Sequence, residues 1–462
     1  MKKSTLLIVL IVISSLGGML YWYLKNDQNI QPIANVPAPA SWFTESTTAA
    51  PNDHTPFLSK HAPNEVFHLW AWQKFLSLTR SANKIAPFQE YVQVDNNLVS
   101  LGDTIELSDS TQAGTNGVLY DSTAANRAIY YTIHVNQKMF DFQQEYLPKF
   151  TAIYNQYKGS ASRDAQIQQQ LNALGYNKLS YPEGCVELKT SWILADSLKE
   201  GMKEYYTTWA KMTTANGTSV VKVALLGMHI IGTVANHPEF IWSTFEHDNL
   251  MPDYKWDHAG YPLLGDTLSD KNFLFYKKNN VIGNCLMNNN PATFSGFYNC
   301  FNIYPLGIAR SFTSNAVPTE RDLSNNAGIV SLNANVKRAL AKKKEVWQHY
   351  FYKGAIWLDY PNNAYKPGNG YLGLLSVKAL NGTRALSNNT METFSQLNFS
   401  GNYTTGSMNC FGCHGTIDYK NVQPNTNDSL MYNMALSHLF KNAILQVAAD
   451  TLPKVIVPKR GA

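Results

Sequence analysis

The chain has 462 residues, 44% hydrophobic and 12% aromatic, with a formal net charge of +5. A sizeable core is therefore available, and the only tight basic cluster, Lys342-Lys343-Lys344, reads as a solvated helix face. This mild, dispersed charge excludes nucleic acid as the natural partner.

At the amino terminus, Lys2 and Lys3 precede an uncharged run from Ser4 to Leu24. At about 1.5 Å per residue such a run covers about 30 Å, enough to cross a bilayer core. A cleaved signal peptide usually has a shorter apolar part, about 7 to 15 residues, ending in a small-x-small site. Here Tyr21-Trp22-Tyr23 closes the run and Lys25 follows, an arrangement suited to a membrane interface. The sequence thus predicts an uncleaved anchor over residues 1–24, Lys2 and Lys3 inside and the rest of the chain on the periplasmic side. A protein secreted after cleavage is the alternative.

Residues 25–62 are rich in Pro, Ala, Ser, Thr and Asn, as in Pro37-Ala38-Pro39-Ala40. Such a composition buries too little apolar surface to offset its ordering entropy. It predicts a flexible tether with a reach of about 30 to 35 Å.

From residue 63 to 400 the pattern predicts one α+β domain, with a central, mainly antiparallel sheet and surrounding helices. Asn64 is placed to cap a helix through Arg80, with Leu69, Trp72, Phe75 and Leu76 on one face. Short strands are expected at 117–120 and 128–133, then helices at 137–157, interrupted at Pro148, and at 162–174. Runs 185–192, 220–234 and 239–245 are rich in β-branched and aromatic residues and predict the sheet. A helical stretch is expected at 196–209, ordered loops at 253–335, a helix at 336–351, and a short helix at 386–396 carrying Met391 and Phe394.

Residues 401–462 are expected to form a small helical segment around Cys410-Phe411-Gly412-Cys413-His414. In an exported chain, Cys-x-x-Cys-His lets two thiols add across the vinyl groups of one haem while the adjacent imidazole takes an axial position on the iron. With 5 Cys and 11 His in the chain, a chance match is rare. A zinc ribbon needs a second close ligand pair, which Cys285 and Cys300 do not make. A thioredoxin-like pair should follow a strand within a βαβ pattern, whereas a Gly- and Thr-rich stretch, 400–406, precedes this one. One covalent haem c is predicted, with His414 as proximal ligand.

The second axial position decides the chemistry, since a sixth ligand gives an electron carrier and an open position admits small ligands. A helix from Asp428 to about Ala449 is expected to carry Met431, Met434 and His438 along one stripe. His438 ranks first as distal ligand, Met434 second, and a His from the central sheet third. Met in such a stripe is also an ordinary core filler.

The central sheet carries Glu187, Lys189, His229, Glu246 and His247, a set that, if the strands pair, can gather acid, base and cation for catalysis. The competing reading is a satisfied polar network. Of the remaining thiols, Cys285 and Cys300 are expected to form a disulfide worth roughly 3 kcal/mol, and Cys185 to be a buried free thiol.

Six stretches carry a likeness to a family: Ala71 to Leu76, Val186 to Trp192, Gly227 to Ile230, Ile241 to His247, Asn389 to Phe394, and the Cys410 to His414 motif. In these the chain resembles uncharacterised exported cytochrome c-like proteins with a single haem motif near the carboxyl terminus. The resemblance implies covalent haem on Cys410, Cys413 and His414 and residence outside the cytoplasm. It assigns no role to the polar residues of the sheet.

The resulting expectation is a membrane-tethered monohaem cytochrome exchanging single electrons with an unidentified redox partner protein or small molecule. The alternatives are a peroxidase- or oxygenase-like haem enzyme with an open iron position, and a binding module in which haem is structural.

Overall fold

The computed structural model describes residues 35–59, 62–107, 128–157, 160, 162–176, 180–250, 252, 267, 269–274, 278–279, 297–301, 320–358, 380–383, 386, 388–391, 394–398, 410–414 and 433–440. The expected anchor, the strand at 117–120, Met431 and Cys285 lie outside them, and with Cys285 the expected disulfide. Among the described residues no helix is long and apolar enough to cross a membrane.

The protein is α+β, built on a nine-stranded, mainly antiparallel sheet. Strands β1 (Val92–Val94), β3 (Tyr130–Val135), β4 (Val186–Leu194), β6 (Gly217–Val234), β7 (His237–His247), β9 (Tyr350–Leu358) and β10 (Leu380–Gly382) lie side by side in that order. The remaining two, β2 (Glu106–Leu107) and β5 (Thr207–Thr214), form the sheet's parallel pair, and β5 joins β6 as a hairpin. A separate antiparallel pair is made by β8 (Phe297–Phe301) and β11 (Phe394–Asn398). The spine is β6, bonded to β4 from Val186↔Gly232 to Leu194↔Val223 and to β7 from Gly227↔Glu246 to Val234↔His237.

Both faces of the sheet are covered. Helix α1 (Asn64–Thr79) and helix α4 (Glu320–Lys342) lie on one face, over Met228, Ile230, Ile241, Phe245 and Tyr352. Phe75 stacks on Phe245 at 4.2 Å and Phe67 on Trp357 at 3.9 Å between ring centroids. Helix α2 (Gln137–Tyr157), helix α3 (Arg163–Ala173) and the carboxyl-terminal segments cover the other, over Ile231, Trp242 and Ile356. Because successive strand residues point to opposite faces, these strands are buried on both sides and read as near-continuous apolar runs.

Several expectations need correction. Residues 35–59 are not a free tether: Val36, Trp42 and Phe57 are buried against the body. Asp53 accepts from Trp70 Nε1 at 2.6 Å and pairs with Lys74 at 3.1 Å. Helix α1 is consequently enclosed nearly all round, while Leu69, expected on its buried face, is half-buried. Asn64 opens that helix from inside, after Pro63.

Helix α2 runs through Pro148, with Asn136 accepting from the Met139 amide at 3.0 Å as its cap. A row of stacked rings, Phe142, Tyr146, Phe150 and Tyr154, holds it together at i,i+4 spacing. This packing outweighs the single hydrogen bond that proline removes.

The stretch expected as helix to Trp209 is a 3-10 turn, Ala195–Glu204, followed by β5. Helix α4 occupies residues assigned to loops and ends at Lys342; Tyr350 and Phe351 begin β9 instead of closing a helix. Phe394 lies in β11, not in a helix with Met391. Most of these errors fall where apolar runs were too short for periodicity to separate helix from strand.

Arg80, 1% exposed at the end of α1, ties three segments together. Its guanidinium donates to both Glu345 oxygens at 2.7 and 2.8 Å, to the carbonyls of Trp42 and Glu45, and to Thr48 Oγ1. Arg80→Met leaves these acceptors buried without a donor and is expected to cost about 3 to 5 kcal/mol in chemical denaturation. A loss under 1 kcal/mol would show that the fork contributes little.

Candidate functional site

The Cys-x-x-Cys-His motif lies on the sheet face covered by α2. Residues Cys410–Cys413 form one short helix, α5, and the His414 amide donates to the Cys410 carbonyl at 2.7 Å. Phe411 is buried and packs 6.0 Å from the Trp242 ring on β7. Trp242 also lies 4.4 Å from the His414 ring. Cys410 is half-buried at the start of the turn.

A second segment grips the histidine from the other side. A 3-10 turn spans Asn433–Leu436, bends at Ser437, and a helical turn starts at His438. The Leu436 carbonyl lies 2.9 Å from His414 Nδ1. A carbonyl can only accept, so Nδ1 carries the proton and Nε2 keeps its lone pair. The His438 ring stacks on His414 at 3.8 Å and 15°. The imidazole is thus oriented by Trp242, the Leu436 carbonyl, the His438 ring and its own turn. Its surroundings hold its pKa well below the ordinary value, chiefly through loss of water, then through His438, Lys189 and His229.

The bend at Ser437 breaks the continuous helix expected from Asp428. Met434 and His438 therefore do not share one helical stripe. Met434 is fully buried in the apolar cluster with Phe411, Leu439 and Phe440, whereas His438 is exposed. The His438 ring therefore stands face to face beside His414.

Four of the five polar sheet residues share this face. The register pairs Lys189 with His229 and His229 with Thr244, and puts Glu187 opposite Ile231 and Glu246 opposite Gly227. His247 is one residue on from Glu246 and points to the other face, stacked on Tyr205 at 3.5 Å, with Nε2 3.1 Å from the Glu204 carbonyl. Burial there takes its pKa down to about 3. The expected five-residue cluster is corrected to four by the parity of a β-strand.

The carboxylate of Glu246 is fully engaged: Lys353 Nζ lies 3.1 Å from Oε1, and the Asn389 amide and side chain donate at 2.7 and 2.9 Å. It is an element of the polar network, not a free acid or base. The neighbouring Asn388 donates to Thr244 Oγ1 at 2.9 Å, Thr390 Oγ1 is 2.5 Å from Ser191 Oγ, and Tyr131 donates to the Thr390 carbonyl at 2.5 Å. Residues 388–390 fit against the sheet because position 227 is glycine; a Cβ there would meet Asn388 at 2.8 Å. Lys189 is half-buried, its ammonium 5.4 Å from the Tyr131 ring centre.

Glu187 is buried at 5% exposure and accepts from Ser437 Oγ at 2.7 Å. Loss of water raises its pKa from 4.5 to about 7, against the lowering effects of Ser437 and Lys189. Cys185, just before β4, is a buried free thiol whose pKa burial pushes up to about 12, which makes it a poor nucleophile.

Sequence reasoning missed Trp242, Ser437, Lys353 and the 388–390 turn. Trp242 was readable, because it has the same strand parity as Glu246; the others depend on contacts across more than a hundred residues. Among the described residues, no group of three or more His, Cys, Asp or Glu side chains is disposed to hold a metal ion. The chain matches no protein-family model, no curated protein and no solved structure.

Because Glu187 is easier to protonate folded than unfolded, its contribution to stability is fully present below pH 4.5 and is lost as pH rises through about 7. Glu187→Gln keeps an acceptor for Ser437 without the charge. The variant is expected to gain on the wild type between pH 5 and pH 8, by up to about 3 kcal/mol, in urea denaturation at the two pH values. An equal difference at both pH values would show that this carboxyl ionises as freely folded as unfolded.

Proposed function

We propose that this protein is a membrane-tethered, periplasm-facing monohaem c-type cytochrome, with Cys410 and Cys413 as the thioether positions and His414 as the proximal ligand. The observation that carries the reading is the hydrogen bond from His414 Nδ1 to the Leu436 carbonyl, made by the histidine that directly follows the Cys-x-x-Cys turn. Metal-bound histidines almost always donate their other ring N–H in this way, which fixes the tautomer and raises the basicity of the ligating nitrogen. The donor set fits: two cysteines at the ends of one helical turn, and an imidazole oriented before anything binds. When bound there, haem would supply a one-electron ferric/ferrous couple.

The chain's own residues do the remaining work. Trp242 and Phe411 seat the motif on apolar surface, which limits water at the proximal ligand. Lys189 and His229 lie close enough to act electrostatically on His414. The positive charge of Lys189 would disfavour the ferric state of a haem held there and raise its reduction potential. The apolar run from Ser4 to Leu24 supports a membrane anchor, and the family resemblance supports export.

A second reading, a haem enzyme with an open iron position, is favoured by two placements. His438 stacks on the proximal histidine, and Met434 is buried in apolar packing. Held in these positions, neither would supply a sixth ligand.

The test is an absorbance spectrum, oxidised and reduced, with and without carbon monoxide, on protein made together with a haem-attachment system. One haem per chain is expected to survive denaturation, and Cys410→Ser with Cys413→Ser to abolish it. Reduced low-spin bands indifferent to carbon monoxide identify the electron carrier. A high-spin spectrum that shifts with carbon monoxide identifies the open-iron enzyme, and absence of covalent haem overturns both.

A further inference from the structure

The segment that orients His414 is itself tied to the sheet by a side-chain hydrogen bond. Leu436, which accepts from His414 Nδ1, and His438, which stacks on its ring, flank Ser437. Ser437 is buried and donates to Glu187 Oε2, a residue 250 positions earlier in the chain. The two flanking groups can hold the imidazole only if the bend between them is fixed in height and rotation over β4 and β7. Leu436, Leu439 and Phe440 add apolar burial, and Phe440 lies 5.3 Å from Phe150 of α2. Apolar contact is not directional, however, and leaves rotation about the segment open. The hydrogen bond to a buried carboxyl is directional and charge-assisted when that carboxyl is ionised.

We infer that Glu187 and Ser437 form a latch that sets the orientation of His414, and that His438 is a stacking partner on the proximal side and not the distal ligand. Glu187, Ser437 and His438 are positioning residues: each acts on the iron's ligand through the 433–438 turn. The inference rests on the reading of His414 as that ligand, but the geometry it concerns exists without haem.

Two measurements separate the latch from the haem reading. In full-length protein made without haem attachment and labelled with nitrogen-15 at histidine, His414 is expected to be in the Nδ1–H tautomer, opposite to the form free histidine prefers. Ser437→Ala and Glu187→Leu are expected to shift it toward the Nε2–H form, while Glu187→Gln, which can still accept from Ser437, retains Nδ1–H. Unchanged resonances of His68, buried on α1, and His134, buried on β3, show that the fold survives. In haem-loaded protein, Ser437→Ala and His438→Ala are expected to keep the wild-type coordination class but to change the ferric/ferrous ratio at a fixed ambient potential about threefold or more. His438→Phe restores it, because the stack is kept.

A tautomer untouched by both Ser437→Ala and Glu187→Leu overturns the latch. Conversion of a low-spin spectrum to high-spin in His438→Ala overturns the assignment of His438, since only loss of a ligand does that. If no haem attaches, the haem reading fails and the tautomer result alone decides the latch.

Discussion

In a sheet covered on both faces a polar side chain without a partner is costly, and this constraint organises the protein. An unpaired buried acceptor costs about 1 to 3 kcal/mol, more when charged. Glu187 and Glu246 lie on the face toward the carboxyl-terminal segments, at 5% and 0% exposure. Each is satisfied by a segment that arrives late in the chain: Ser437 for Glu187, and Lys353 with Asn389 for Glu246. The polar residues of the sheet therefore act as addresses. They fix where the 388–390 turn and the 433–438 turn come down.

The opposite face uses a different device. There helix α1 is pressed between the sheet and the wrap formed by residues 35–59, with Phe67 and Phe75 stacked on Trp357 and Phe245 of the sheet. Arg80 closes this layer by joining the wrap, the helix and the loop before β9 through one guanidinium. The result is a rigid platform under β6 and β7. Trp242 is displayed from that platform, and it is the aromatic floor on which His414 rests. Backbone irregularity contributes as well. The register shift between β7 and β9 lets Lys353 reach Glu246, and Gly354 beside it takes φ 148°, where Thr383 approaches closely.

Much of the frame was legible in the sequence. The strands β4, β6 and β7 and the helices α1, α2 and α3 appear within a few residues of their expected limits. Glu187, Lys189, His229 and Glu246 were picked out as a set and do share one face. His247 was picked with them although alternation places it opposite, so that error was avoidable. The helix expected over 386–396 is a turn and a strand, since Asn388 to Thr390 satisfy side chains on the sheet in place of capping a helix. Nothing local to those residues shows that demand.

What the sequence alone determined is the chemistry on offer: two thiols and an imidazole at a spacing that suits one haem, an apolar run of membrane-spanning length, and strands apolar enough to be buried on both sides. These follow from residue types and short-range spacing, which covalent geometry carries without help from the fold. What only the tertiary structure decided is how that imidazole is held. Its Nδ1–H tautomer, its stack with His438 and the tie from Ser437 to Glu187 all join residues distant in sequence, and such contacts are fixed by satisfying buried groups across the fold, which no local pattern encodes.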